Sequence, residues 1–174
     1  MRKFNFVKLE DKGITAKGKN QDGFRFYNID GQHYPSITSV LGVKKKKELQ
    51  NWRNSIGEDV ANWEMGRAAR RGKATHTLVE QYLKGENPSE RSVLPIGLFK
   101  IMRPYIDQID NIHMIEQVMY SKDLGVAGQT DCIAEYNGKL SVIDFKTANK
   151  ERKEVRKRKE EARKRTRRVQ KRQF

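Results

Sequence analysis

The stretch VAGQTDCIAEYNGKLSVIDFKT, residues 126–147, decides how this chain is read. Two runs of strand formers, Val126 to Tyr136 and Lys139 to Thr147, flank Asn137-Gly138, a pair that readily supplies the positive φ angles of a two-residue hairpin turn. With that turn Asp131 faces Asp144. Lys146, two residues on, shares their face and lies opposite Gln129, because strand side chains alternate with period 2. Like charges directly opposed sit only ~4.5–5.5 Å apart at Cβ and destabilise a sheet. A hard divalent cation such as Mg²⁺ or Mn²⁺ resolves the conflict, since paired carboxylates with room for water match its preference for oxygen. Such an ion would polarise a phosphodiester oxygen and acidify a bound water, with Lys146 orienting the nucleophile or offsetting charge on the phosphate.

Outward from the hairpin the chain alternates helix and strand signals. Residues 23–35, GFRFYNIDGQHYP, place aromatics on either side of Asp30-Gly31 and predict a small N-terminal hairpin. Ser36 is positioned to cap a short helix through ITSVLG, and a second helix carrying Leu49 and Trp52 follows the lysine run 44–47. Residues 57–83 read as helical, with Val60, Trp63, Ala68, Leu78, Val79 and Tyr82 as packing positions. Gly66 and Gly72 interrupt that pattern, so two helices or one kinked helix are expected. Pro95 to about Ile112 predicts another helix, with Ile96, Phe99, Ile101, Tyr105 and Ile109 available to the core. Met114 to Ser121 reads as a strand.

Composition bounds what the protein does. The 174 residues suit one domain, and no apolar run approaches the ~20 residues of a membrane span. Cys132 is the only cysteine, which excludes an internal disulfide and a multi-cysteine zinc site, and its strand context reads as a small core residue. The N-terminus, MRKFNFVKLEDKG, lacks a continuous apolar segment, so the expected location is a cytoplasm, that of a host if the chain is phage-encoded. Net charge is +15, and from Lys150 to Arg172 there are 14 Lys and Arg against 4 Glu. A polyanionic partner is implied, nucleic acid ahead of a membrane surface. The segment 149–174 has only Val155, Ala162, Val169 and Phe174 as apolar residues beyond its start and cannot build a core. The division is thus a domain over 1–148 and a basic low-complexity tail over 149–174, with the helical region 57–83 and strands over 114–147 carrying the chemistry.

Gly128-Gln129-Thr130-Asp131 followed by Asp144-Phe145-Lys146-Thr147 resembles the second and third motifs of RecB-like nucleases of the PD-(D/E)XK superfamily. RRGKATHTLVEQYL, residues 70–83, resembles their first motif, a histidine and a glutamate one helical turn apart, here His76 and Glu80. The resemblance spans most of residues 34–147 and is strongest to the mitochondrial genome maintenance and phage-type exonucleases. It implies a restriction-endonuclease-like α/β core, a central mixed β-sheet flanked by helices, here with an incomplete sheet. It implies Asp131, Asp144 and Lys146 as catalytic residues, and Asp131, Asp144 and His76 as ligands of Mg²⁺ or Mn²⁺. Glu80 and Gln129 would support them, and Glu116 matches an acidic position of some relatives. Arg70, Arg71 and Lys73, with Lys150, Arg152 and Lys153 of the tail, are candidate phosphate contacts. The related nucleases continue past DFKT into a helix bearing a glutamine and, four residues on, a tyrosine. This sequence turns to KERKEVRKRKEE there.

The leading expectation is therefore a metal-dependent deoxyribonuclease, an exonuclease on single-stranded DNA in recombination, repair or replication. The second is a catalytically weak or inactive module that binds nucleic acid through its basic tail. The third is a basic protein that recognises an acidic partner.

Overall fold

The computed structural model describes residues 2–7, 18–21 and 23–147. Three strands, β1 (Gly18–Gln21), β2 (Phe24–Ile29) and β3 (Gln32–Pro35), form an antiparallel meander. Four helices follow: α1 (Ile37–Val43), α2 (Lys46–Ile56), α3 (Glu58–Leu83) and α4 (Val93–Ile106). A second antiparallel sheet, in the order β4-β5-β6, closes the described chain with β4 (Ile109–Ser121), β5 (Val126–Tyr136) and β6 (Lys139–Ile143). The architecture is mixed α/β. Both sheets are antiparallel rather than one central mixed sheet, and among the described residues parallel pairing is confined to the isolated bridges Phe6 to Ile112 and Ser36 to Ala127.

Both turn signals act as expected. Asp30 and Gly31 take φ of 52° and 76°, and Asn137 and Gly138 take 52° and 74°, so the backbone twist of each turn matches its strands. The second turn sets the register Tyr136 to Lys139 through Cys132 to Ile143. Pairing ends there, and Asp144–Thr147 leave the sheet. The 57–83 region is one helix, and Gly66 and Gly72 lie within it. Each glycine costs only ~1 kcal/mol of propensity, which the packing of the helix's second half outweighs. That packing begins late: Leu78, Val79, Tyr82 and Leu83 are buried, whereas Val60, Trp63 and Ala68 are exposed. Leu49 and Trp52 of α2 are exposed as well.

The helix expected to run to Ile112 stops at Ile106. Ile109 and Ile112 are buried from β4 instead, and Ile101 and Tyr105 of α4 face solvent. Apolar residues at short intervals fit a helix face and a buried strand equally, and here the strand begins five residues earlier than its β-branched composition suggested. A register shift between Asp110 and Met114, with Asn111 at φ 44°, lets β4 start early and still pair correctly along β5.

The main core joins the second half of α3 and α4 to one face of β4-β5-β6, through Leu78, Tyr82, Phe99, Ile106, Ile109, Cys132 and Phe145. A smaller cluster ties Tyr27, Ile29 and Tyr34 of the first sheet to Ala127. Gly128 is required at that join, because a Cβ there would lie 2.8 Å from Ile37 Cγ2 of α1. The glycine of the Gly128-to-Asp131 motif is thus explained by packing. On β6, Leu140 and Val142 remain exposed.

Cys132 is fully buried, and burial, aided by the charge of Asp131, pushes its thiol up to about 12. Only the thiolate reacts, so native protein at pH 8 is expected to resist alkylation by iodoacetamide and to be labelled fully once unfolded in guanidinium. Labelling of the native chain at the rate of a free thiol would show that β5 opens locally.

Candidate metal centre

The site begins with a main-chain group. Phe145 follows the last paired residues of β6 by two positions, and its ring is buried in the main core, edge-on to the His76 ring. Its N–H donates to Asp131 Oδ2 at 2.7 Å, and its carbonyl lies 2.7 Å from His76 Nε2. A carbonyl can only accept, so Nε2 carries a proton and donates. The other ring nitrogen, Nδ1, lies 3.6 Å from Glu116 Oε1 and 3.7 Å from Asp131 Oδ2. These separations are too long for good hydrogen bonds. Nδ1 thus faces two carboxylates, an arrangement that a cation among the three groups, or a proton on Nδ1, makes favourable.

His76, Glu116 and Asp131 each offer a ligand atom within 4.8 Å of the others, and all three are partly buried. Histidine ligands typically donate the second ring N–H to a carbonyl or carboxylate, which sets tautomer and orientation, and Phe145 provides that acceptor here. The donor set, one imidazole nitrogen with carboxylate oxygens, fits a divalent cation with oxygen-rich coordination.

Glu116 reaches this position through its backbone. The ladder pairs Ile115 with Cys132 and Gln117 with Thr130, so Glu116 stands across from Asp131. Its φ is 51°, a left-handed conformation that costs a residue with a Cβ ~1–2 kcal/mol. Gln129 holds it there, donating from Nε2 to Glu116 Oε2 at 2.8 Å and to the Glu116 carbonyl at 3.2 Å. Strain of this kind persists only where neighbours over-determine it, and it gathers at functional sites.

The remaining candidates are placed as follows. Glu80, one turn beyond His76, lines the same small cleft and pairs with Lys84 at 2.7 Å, which raises the Lys84 pKa. Asp144 and Lys146 form an ion pair, with side chains 55% and 53% exposed, and Asp144 is not part of the three-residue cluster. The expected register is present, yet the carboxylate opposite Asp131 is Glu116 on β4, and on the β6 side Asp131 meets the Phe145 main chain. Because pairing ends at Ile143, strict alternation no longer governs Asp144 and Lys146. Gln129 serves Glu116 rather than standing against Lys146. Arg70 and Lys73 are exposed on α3 and Arg71 is partly buried, while Lys150, Arg152 and Lys153 lie outside the described residues. Neither the Phe145 clamp nor the centrality of Glu116 was apparent from sequence. The usable signal for Glu116 was the turn at Lys122–Gly125, which sets the β4–β5 register.

Burial, reinforced by Asp131 and Glu80 and opposed by His76, raises the Glu116 carboxyl above the ordinary carboxylate range. The folded chain then holds this proton more tightly than the unfolded chain. The contribution to stability is fully present below the unfolded value, ~4.3, and is lost as pH rises through the folded value. Relative to Glu116→Gln, the metal-free wild type should therefore lose melting temperature as pH rises above the unfolded carboxyl value and through the higher folded one. At pH 7 the variant should be the more stable by up to ~1 kcal/mol, since it removes a like charge facing Asp131. A lower melting temperature for Glu116→Gln at pH 7 would show instead that the charge is structurally required.

No family model matches the chain. It is similar to the mitochondrial genome maintenance exonuclease 1 proteins of Homo sapiens, 28% identical over 127 residues, and Mus musculus, 29% over 132 residues. The alignments cover 67% and 70% of this chain and 37% and 39% of those proteins. The Xenopus tropicalis protein of that name is 26% identical over 136 residues, covering 70% of this chain and 38% of its own length. The chain thus spans under two fifths of the length of these curated relatives. The relationship is distant homology to proteins named as exonucleases.

Proposed function

We propose that this chain is a divalent-cation-dependent nuclease of the PD-(D/E)XK type that hydrolyses phosphodiester bonds of DNA, with an exonuclease acting on single strands as the specific form. The observation that carries it is the His76, Glu116 and Asp131 cluster, with Nδ1 of His76 facing two carboxylates and both His76 and Asp131 anchored on Phe145. The distant homology to named exonucleases supports it, as do both motifs of the catalytic hairpin. On this reading the two sheets and α3 are the part of a restriction-endonuclease-like core that this chain contains.

His76, Glu116 and Asp131 would hold Mg²⁺ or Mn²⁺. The single imidazole among oxygens suits a first-row ion such as Mn²⁺ at least as well as Mg²⁺. The cation, when bound, supplies Lewis acidity toward a phosphate oxygen and acidifies water. The chain's own residues do the rest. Gln129 and the left-handed backbone at 116 keep the Glu116 carboxylate turned toward His76. Phe145 N–H fixes Asp131 Oδ2, the oxygen near His76 Nδ1, and so orients the carboxylate toward the cluster. Lys146, more than half exposed and held by Asp144, presents a mobile positive charge at the rim, where it offsets charge developing on a phosphate.

Asp131→Asn, Asp144→Asn and Lys146→Ala are each expected to abolish Mn²⁺-supported release of nucleotides from end-labelled single-stranded DNA while leaving DNA binding in EDTA within about twofold, because phosphate contacts elsewhere supply most affinity. His76→Ala should raise the Mn²⁺ concentration needed for half-maximal cleavage before it lowers the limiting rate. Undiminished cleavage in Asp131→Asn would overturn the assignment.

A further inference from the structure

Charge is distributed unevenly within the first 149 residues, whose net charge is +5. Residues 44–73, the linker to α2, α2 itself and most of α3, contain nine Lys and Arg against four Asp and Glu, which accounts for the whole of that excess. Residues 74–149, which hold the metal cluster, carry seven against ten. Most of the excess is the run Lys44–Lys47; the α3 part, residues 58–73, has four Lys and Arg against three Asp and Glu, and its cations begin at Arg67.

That part of α3 also exposes an aromatic ring with no core role. Trp63 is 55% exposed, and the Arg67 guanidinium lies 4.5 Å from the centroid of its ring, tethered by Glu64 at 3.1 Å. One face of the indole is covered by Arg67, and over half of the residue is left to solvent. At ~100° per residue, positions 63, 67 and 70 fall within an arc of about 60°, and Val60, also exposed, adjoins it. Arg70 is the stripe residue nearest to the site, and His76 lies about 120° and Glu80 about 80° round the helix from it. The covered side of α3 lies with them: Arg53 of α2 donates to Asn62 and approaches Met65 there. The Trp63 stripe is thus an outward face, about 20 Å along the axis from His76.

We propose that Trp63, with Arg67 and Arg70, is a binding site for single-stranded polynucleotide, separate from the metal cluster and several nucleotides away from the bond cut there. It rests on the nuclease reading for its purpose but not for its chemistry. An indole stacks on any base, and the adjacent guanidinium of Arg67 stacks as well and, with that of Arg70, neutralises phosphate. Base pairing hides base faces, so a duplex lacks the stacking contact. An acidic protein or polysaccharide would use the charge and not the ring. The site would retain a strand between cleavage events by gripping it beyond the reacting end.

The test is fluorescence anisotropy with a labelled oligothymidylate of about 20 nucleotides and the full chain in EDTA, where divalent cations cannot support cleavage. Trp63→Ala is expected to weaken binding about tenfold, Trp63→Phe to restore most of it, and the factor to stay constant as salt is raised, because stacking releases no counterion. Arg67→Ala should instead lower the slope of log affinity against log salt by about one. Heparin and duplex affinity should not respond to Trp63→Ala. Unchanged oligothymidylate binding in Trp63→Ala overturns the site, as does an equal loss toward heparin or duplex, or a Trp63→Phe variant as weak as the alanine. Mn²⁺-supported cleavage by wild type, lost in Asp131→Asn, keeps the two readings apart. Cleavage with no Trp63 effect removes the stacking site alone, and a Trp63 effect with no cleavage by wild type removes the nuclease reading alone.

Discussion

The two hydrogen bonds of the Phe145 main chain are the constraint on which the site depends. The residue's ring is locked in the core, so its N–H and carbonyl are fixed relative to the sheet. From that one peptide position the N–H takes an oxygen of Asp131 on β5 and the carbonyl takes a nitrogen of His76 on α3. A helix and a strand far apart in sequence are thereby set to a common origin, and the tautomer of the histidine is decided by a backbone acceptor that cannot change its role. Both bonds are to polar groups in a partly buried cleft, where loss of a partner is more costly than at a surface.

Around that anchor the site assembles conflicting charges. Glu116 and Asp131 oppose each other across β4 and β5, with Glu80 nearby. The rest of the fold absorbs the conflict through a strained backbone at 116, the side chain of Gln129, and the pairing of Glu80 with Lys84. A sheet selected for stability alone would have an uncharged pair here. The retention of repulsion and strain together, at the point that Nδ1 of His76 faces, is what distinguishes this cluster from a surface group of acids. In the sequence the positive excess is concentrated in Lys44–Lys47 and in the segment 150–172, apart from the residues of the acidic cluster.

Local signals in the sequence were sufficient wherever the chain itself decides the outcome. Asn137-Gly138 and Asp30-Gly31 specify their turns because few residue pairs tolerate two positive φ angles, and a two-residue turn leaves one register for the strands it joins. His76 and Glu80 are on one helix, one turn apart, because helical geometry requires it. Asp131 was identifiable because it lies on a strand whose register that turn sets. The single cysteine, with strand formers on either side, was legible as core.

Tertiary structure decided the remainder. Whether Ile109 and Ile112 belonged to a helix or a strand depended on what they pack against, since the apolar spacing suits both. Trp63 and Val60 match a buried helical face in periodicity, yet the sheet against which α3 packs covers only its second half. The hairpin keeps the expected register, but strand pairing ends at Ile143, before Asp144 and Lys146, and a ladder's end is set by competing contacts rather than by composition. Glu116 became central through a backbone angle that no residue preference predicts, stabilised by a side chain on the next strand. By itself the sequence determined which residues have suitable chemistry and which turns bring their strands together. Only the packing of α3 on the sheet determined that three of them, His76, Glu116 and Asp131, meet around one point, because that meeting depends on a main-chain anchor with no signature in residue type.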